Sequence, residues 1–131
     1  MKRTFYCFFT EAVQLPWYLS KLDTQLSHCF TVEHQVIGEY DCFMALEHLT
    51  NYIDTRTYLI PIDDIIERYR MDKDYRIIKI SLDVDPLKRM NPFMHLNCAS
   101  LVKKSLGINR PTVFTPKQLY KHLLSIGGEE I

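Results

Sequence analysis

The chain has 131 residues, 47% hydrophobic and 24% charged, a balance that suits a single domain over 1–131 and excludes a disordered chain. Lys+Arg and Asp+Glu are 16 each, for a formal net charge of +0, which excludes a bulk electrostatic pull toward nucleic acid or an anionic membrane. With 4 Gly and 6 Pro, the chain is neither collagen-like nor a linker.

In chain order, the basic pair Lys2-Arg3 precedes an apolar run, Phe5-Tyr6-Cys7-Phe8-Phe9, that Thr10 and Glu11 end early. The run is too short for a signal peptide or a membrane span, so no targeting segment is expected and residues 4–10 read as an aromatic-rich buried strand. Residues 11–26 carry Pro16-Trp17-Tyr18 and an amphipathic piece with Leu19 and Leu22, which suggests a connecting turn or short helix. Residues 27–34 read as a second strand, Gly38 as a hairpin turn, residues 40–47 as a third strand and 51–60 as a fourth. After Pro61, residues 62–69 repeat apolar side chains at helical spacing, with Asp63 and Asp64 in the first turn, and predict a helical turn or two. Residues 75–82 form a fifth strand, and Asp85-Pro86 and Asn91-Pro92 enclose a loop. That loop, 84–96, leads directly into Cys98 and is expected to form one wall of any cleft there.

The last third carries the clearest local signals. Asn97 is a good N-cap for a helix from Cys98 through Leu106, with Gly107 as its stop. Thr115-Pro116 supplies an N-cap and a first-position proline for a final helix, whose apolar face is Leu119, Tyr120, Leu123 and Leu124 and which ends near Gly127. Strands followed by helices predict an α+β domain with a mostly antiparallel sheet and the Cys98 helix packed on it.

Of the four cysteines, Cys7, Cys29 and Cys42 lie in expected strands, where cysteine acts as a small hydrophobe. Reduced thiols of a cytosolic protein are expected rather than a disulfide framework. Cys98 differs because it opens a helix, where unpaired N–H groups and the positive end of the dipole stabilise a thiolate and can accept an oxyanion. A small buried residue on the helix face that meets the sheet is the competing reading. His28 is the preferred base: it alternates with Phe30 and Val32 onto one strand face, and an imidazole there can pair with a helix-opening cysteine. A satisfied core histidine is the alternative. Glu47, at the end of the third strand, is the candidate to orient the imidazole, against a solvated strand-end carboxylate, with His34, Asp41 and His48 as competitors.

Other chemistry has less support. His95 and Cys98 form an H-x-x-C pair, and His28, Cys29, Cys42 and His48 offer further ligands, but no second closely spaced pair completes a zinc site, so no metal or other cofactor is expected. There is no G-x-G-x-x-G, phosphate loop, H-E-x-x-H or G-x-S-x-G. Lys103-Lys104 and Lys117/Lys121 read as solvated helix faces rather than a basic patch.

Three segments together carry a family resemblance: Ser27-His28-Cys29-Phe30, Asn97-Cys98-Ala99-Ser100-Leu101-Val102-Lys103-Lys104-Ser105-Leu106-Gly107-Ile108, and Phe114-Thr115-Pro116-Lys117-Gln118-Leu119-Tyr120-Lys121-His122-Leu123. The chain resembles small phage and prophage proteins similar to circularly permuted papain-like hydrolases, relatives of NlpC-type cell-wall peptidases and of lecithin:retinol acyltransferase. In that permuted group the strand with the histidine comes first and the cysteine-bearing helix comes late, which is the order here. The resemblance implies a papain-like domain, Cys98 as nucleophile, His28 as base and a third polar group at Glu47 or a neighbour. It implies thiol hydrolase or acyltransferase action on an amide or ester, with a peptidoglycan peptide as substrate class. The alternative is a non-catalytic phage virion or assembly protein that keeps the fold and has phage structural proteins as partners. The corresponding locations are the cytoplasm of the producing cell or the virion.

Overall fold

A computed structural model describes residues 2–10, 28–49, 53–84, 98–108, 110, 112–113 and 115–131. Among them, six strands form one antiparallel sheet: β1 (Lys2–Thr10), β2 (His28–Ile37), β3 (Tyr40–His48), β4 (Ile53–Tyr58), β5 (Arg76–Asp83) and β6 (Glu129–Glu130). The order across the sheet is β4-β3-β2-β1-β5-β6. Three helices accompany it: α1 (Ile62–Asp72), α2 (Cys98–Leu106) and α3 (Pro116–Ser125). The architecture is α+β.

The aromatic run at the start of the chain becomes β1, an inner strand paired with β2 on one side and β5 on the other. Phe5 to Thr10 are buried without interruption, because both faces of the sheet are covered there. Phe5, Cys7 and Phe9 point into a core shared with Cys29, Ile78 and Ile80 of the sheet and with Ala99, Val102, Leu119 and Leu123 of α2 and α3. Tyr6 and Phe8 point the other way, into a core shared with Phe30, Val32, Ile77 and the α1 residues Ile65 and Ile66. The molecule is therefore layered, with α1 on one face of the sheet and α2 and α3 on the other.

Local chemistry accounts for the element ends. Gly38, at φ 65°, turns β2 into β3, and the Ile37↔Tyr40 pair closes the hairpin. α2 ends at Gly107 (φ 72°), where Ile108 N–H donates to Lys103 O at 2.9 Å and Gly107 N–H to Lys104 O at 3.1 Å, a Schellman cap. Thr115 caps α3 through a reciprocal box: Gln118 N–H donates to Thr115 Oγ1 at 3.2 Å, and Thr115 N–H donates to Gln118 Oε1 at 3.1 Å.

Several boundaries differ from the sequence reading. β2 runs on to Ile37, β4 is confined to Ile53–Tyr58, and α1 is a full 11-residue helix rather than a turn or two. The two-residue β6 was not anticipated. It follows Gly128, where a Cβ would lie 2.6 Å from Ile78 Cγ2 and 2.8 Å from Leu123 O, so the missing side chain lets the chain turn back onto β5. Lys103, read as part of a solvated helix face, is half-buried and also donates its ammonium to Arg110 O at 3.0 Å and Val113 O at 2.7 Å. The expected turn at 11–26, the 85–96 part of the expected cleft wall and the Asn97 cap lie outside the described residues; Val84, at the wall's start, is buried in the α2/α3 core.

Candidate active site

One end of the sheet gathers the polar groups. The C-terminal end of β1, the start of β2 and the end of β3 meet there: Thr10 pairs with His28, and Glu47 of β3 pairs with Asp54 of β4. Pleat alternation sends His28, Phe30, Glu47 and Arg56 to the α1 face. Cys98 is the first residue of α2 and packs against the opposite core, the one containing Cys29. His28 is the first residue of β2, and its ring hydrogen-bonds to Cys98.

The geometry on the α1 side is explicit. His28 Nε2 lies 2.6 Å from Glu47 Oε2, with side chains 21% and 14% exposed. The other carboxylate oxygen, Oε1, accepts from Arg56 Nη2 at 2.7 Å. With Nε2 taken by Glu47, Nδ1 is the ring nitrogen left for the Cys98 sulfur. Arg56 lies over the rings of Phe30 and Tyr69, 5.8 and 5.6 Å from their centroids. Tyr69 Oη and Tyr58 Oη are 2.9 Å apart.

These contacts set the charge states. The hydrogen bond from the Cys29 thiol is the strongest influence on Cys98, and burial opposes it. A hydrogen bond from His28, one from the Cys29 backbone N–H and the imidazolium charge add to the first, bringing the thiol down to about 4. For His28, burial favours the neutral ring, but the hydrogen bonds and charges of Cys98 and Glu47 together outweigh it and raise the imidazole to about 9. Burial pushes the Glu47 carboxyl upward; His28 and Arg56 more than reverse this and hold it below the usual range. The resulting state is a thiolate–imidazolium pair backed by a carboxylate. The helix start adds its dipole in the same sense.

The structure thus brings Cys98, His28 and Glu47 together. Two competitors for the third position lie elsewhere: His34 Nε2 pairs with Asp41 Oδ1 at 2.8 Å toward the hairpin end of β2–β3, and His34 stacks on Phe43. His48, one residue beyond Glu47, alternates to the other face. Among the described residues, no group of three or more His, Cys, Asp or Glu side chains is arranged to hold a metal ion, and no helix is long and apolar enough to cross a membrane.

Sequence reasoning missed Arg56 and Cys29 as site residues. Arg56 was hidden in a strand read for its β-branched neighbours, although Asp54, Arg56 and Tyr58 share a face by simple alternation. Cys29 sits beside His28 in sequence, but only α2 packing on β2 makes its thiol a donor to Cys98. Comparison of the chain with protein-family models, curated proteins and solved structures found no match.

Proposed function

We propose that the protein is a thiol hydrolase or acyltransferase that uses Cys98 as nucleophile, His28 as base and acid, and Glu47 to orient the imidazole. The carrying observation is the short His28–Glu47 hydrogen bond, 2.6 Å, on a ring whose other partner is a helix-opening cysteine. In the proposed cycle, Cys98 Sγ attacks an amide or ester carbonyl and the C–N or C–O bond breaks. The His28 imidazolium gives its proton to the leaving amine or alcohol, leaving a thioester on Cys98. Water, or an acceptor amine or alcohol, then attacks the thioester while His28 removes its proton, and the Cys98 thiolate is regenerated. The backbone N–H of Cys98 is proposed as one oxyanion donor.

The order of the chemical groups, histidine strand before cysteine helix, together with a helix laid on an antiparallel sheet, supports a permuted papain-like domain as the fold. A peptidoglycan peptide is the proposed substrate class, by analogy with cell-wall peptidases. A second reading, a virion or assembly protein, draws on a different feature: Val36, Ile37 and Tyr40 at the β2–β3 hairpin are 64%, 59% and 75% exposed, an apolar tip suited to a subunit contact. Light scattering of the purified protein checks it, with a defined oligomer expected under that reading and a monomer counting against it.

The test of the leading reading is the pH dependence of Cys98 alkylation by iodoacetamide, with each thiol resolved by mass spectrometry. The signs follow from the two shifts: the depressed Cys98 thiol stays ionised until the pH falls through about 4, and the elevated His28 stays protonated until the pH rises through about 9. Reactivity is therefore expected to persist down to about 4, and turnover to show a bell between these limits. In His28→Ala the Cys29 donors remain, so the thiol moves only part of the way to its ordinary value, and labelling at pH 6 drops on the order of 10-fold. A wild-type Cys98 that titrates like a free thiol would sink the proposal.

A further inference from the structure

Arg56 is the group at this site whose role the chemistry above leaves unused. It is on β4, the strand at the edge of the sheet, diagonally across from Glu47. Its guanidinium donates through Nη2 to Glu47 Oε1 at 2.7 Å, while Nε lies 3.0 Å from Asp54 Oδ2 without hydrogen-bond alignment. The rings of Phe30 and Tyr69 flank the cation. Phe30 is two residues from His28 on β2, so one side chain spans from the edge strand to the strand of the base.

We propose that Arg56 is a positioning residue for the Cys98–His28–Glu47 array: by occupying Oε1 it leaves Oε2 as the oxygen that faces His28 Nε2 and so fixes the plane of the imidazole. The proposal rests on the thiol reading and deepens it. A carboxylate with a side chain 14% exposed can rotate about its last bond and exchange its oxygens unless each has its own donor, and here each does. The planar fork of Arg suits the task because several N–H groups are held rigidly. One can hold Glu47 while the plane rests on aromatic rings, which the point charge of a lysine cannot reproduce. Among the described residues, the charged and titratable groups that interact with Glu47 include His28 and Cys29 from β2, Arg56 and Asp54 from β4, Tyr69 from α1 and Tyr75 just before β5.

Arg56 is one of the groups that holds the Glu47 carboxyl down. Without it, Glu47 takes up its proton at a higher pH on acidification and lets go of His28 earlier. A residue that merely fills the sheet edge would lower stability and leave this titration alone.

The experiment compares full-length wild type, Arg56→Met and Arg56→Lys in two readouts: the pH profile of Cys98 alkylation, and the proton NMR signal of the His28 Nε2–H, which a short bond to carboxylate moves far downfield. In Arg56→Met the acid limb of alkylation is expected to move to higher pH, with the rate at pH 5 down on the order of 10-fold, part of what acid–base groups supply. The downfield signal is expected to be lost. Arg56→Lys, which keeps the charge but not the fork, is expected to retain the acid limb and lose much of the downfield signal. A folded Arg56→Met with the wild-type limb and signal overturns the proposal. If Arg56→Met does not fold, Arg56→Lys decides, and a wild-type signal there overturns it. Should wild-type Cys98 titrate as an ordinary thiol, the hydrolase reading fails by itself, and the His28 signal still judges Arg56: its persistence in Arg56→Met refutes the positioning role, and its loss upholds it.

Discussion

On the α1 face of the sheet, Phe8 stacks on Phe30 at 4.8 Å and both rings pack on Tyr69 and Tyr75, whereas the α2/α3 face is mainly aliphatic, with two buried thiols, Cys7 and Cys29, among Ile78, Ile80, Val102 and Leu123. The aromatic face can admit charge. Its ring faces receive the Arg56 cation and its phenols hydrogen-bond one another, so Glu47 and Arg56 sit at the margin of a core without an unmatched charge. The aliphatic face suppresses charge. Burial pushes the Cys7 thiol up to about 12, against a weak hydrogen bond to Thr31, and Cys29 rises well above its ordinary value for the same first reason. Cys98 packs against that same core yet falls to about 4, because at the rim it gains the Cys29 thiol and the His28 imidazolium as donors. Burial alone does not decide the state of a thiol; the donors within reach decide it.

That contrast can be broken from either side. Phe8→Ala removes the ring common to the stacked aromatics and is expected to cost the most, about 3–5 kcal/mol, measured by denaturant unfolding; a cost under about 1 kcal/mol would show that the aromatic layer is not what holds α1 to the sheet. Cys29→Ala tests the other face. It is expected to cost about 1 kcal/mol as a small cavity and, more tellingly, to move the acid limb of Cys98 alkylation to higher pH, because a donor to the thiolate is lost while His28 remains. An unmoved limb would assign the low value of Cys98 to His28 and the backbone alone. The smallest effect belongs to the exposed pair far from both cores: Asp41→Asn, which weakens the contact to His34, is expected to change stability by no more than about 0.5 kcal/mol and to leave the alkylation profile untouched. A change in that profile would mean that the hairpin end communicates with the site.

Much of the local structure was legible in the sequence. Thr115-Pro116 with Gln118 announces a capped helix, Gly107 its predecessor's end and Gly38 a hairpin, because each of these signals acts between residues a few positions apart. The apolar run of β1 was readable as a buried strand, but its place as an inner strand was not: that depends on pairing with β5, more than 60 residues away. The candidate site divides in the same way. Cys98 stands out at a helix start and His28 on an alternating strand, while Glu47 could be named only among competitors, and the β2–β3–β4 register is what sets it against His28 and Arg56 together.

The residues alone thus specify which segments become the first five strands and the three helices, though not their exact ends or β6, which faces are apolar, and that a cysteine opens a helix, all of which follow from backbone capping and side-chain periodicity. Tertiary structure alone decided which histidine and which carboxylate meet that cysteine, that Cys29 donates to it and that Arg56 backs the carboxylate. Those choices rest on strand order, register and the packing of α2 on β2 and β3, which join segments distant in the chain and leave no mark in local spacing.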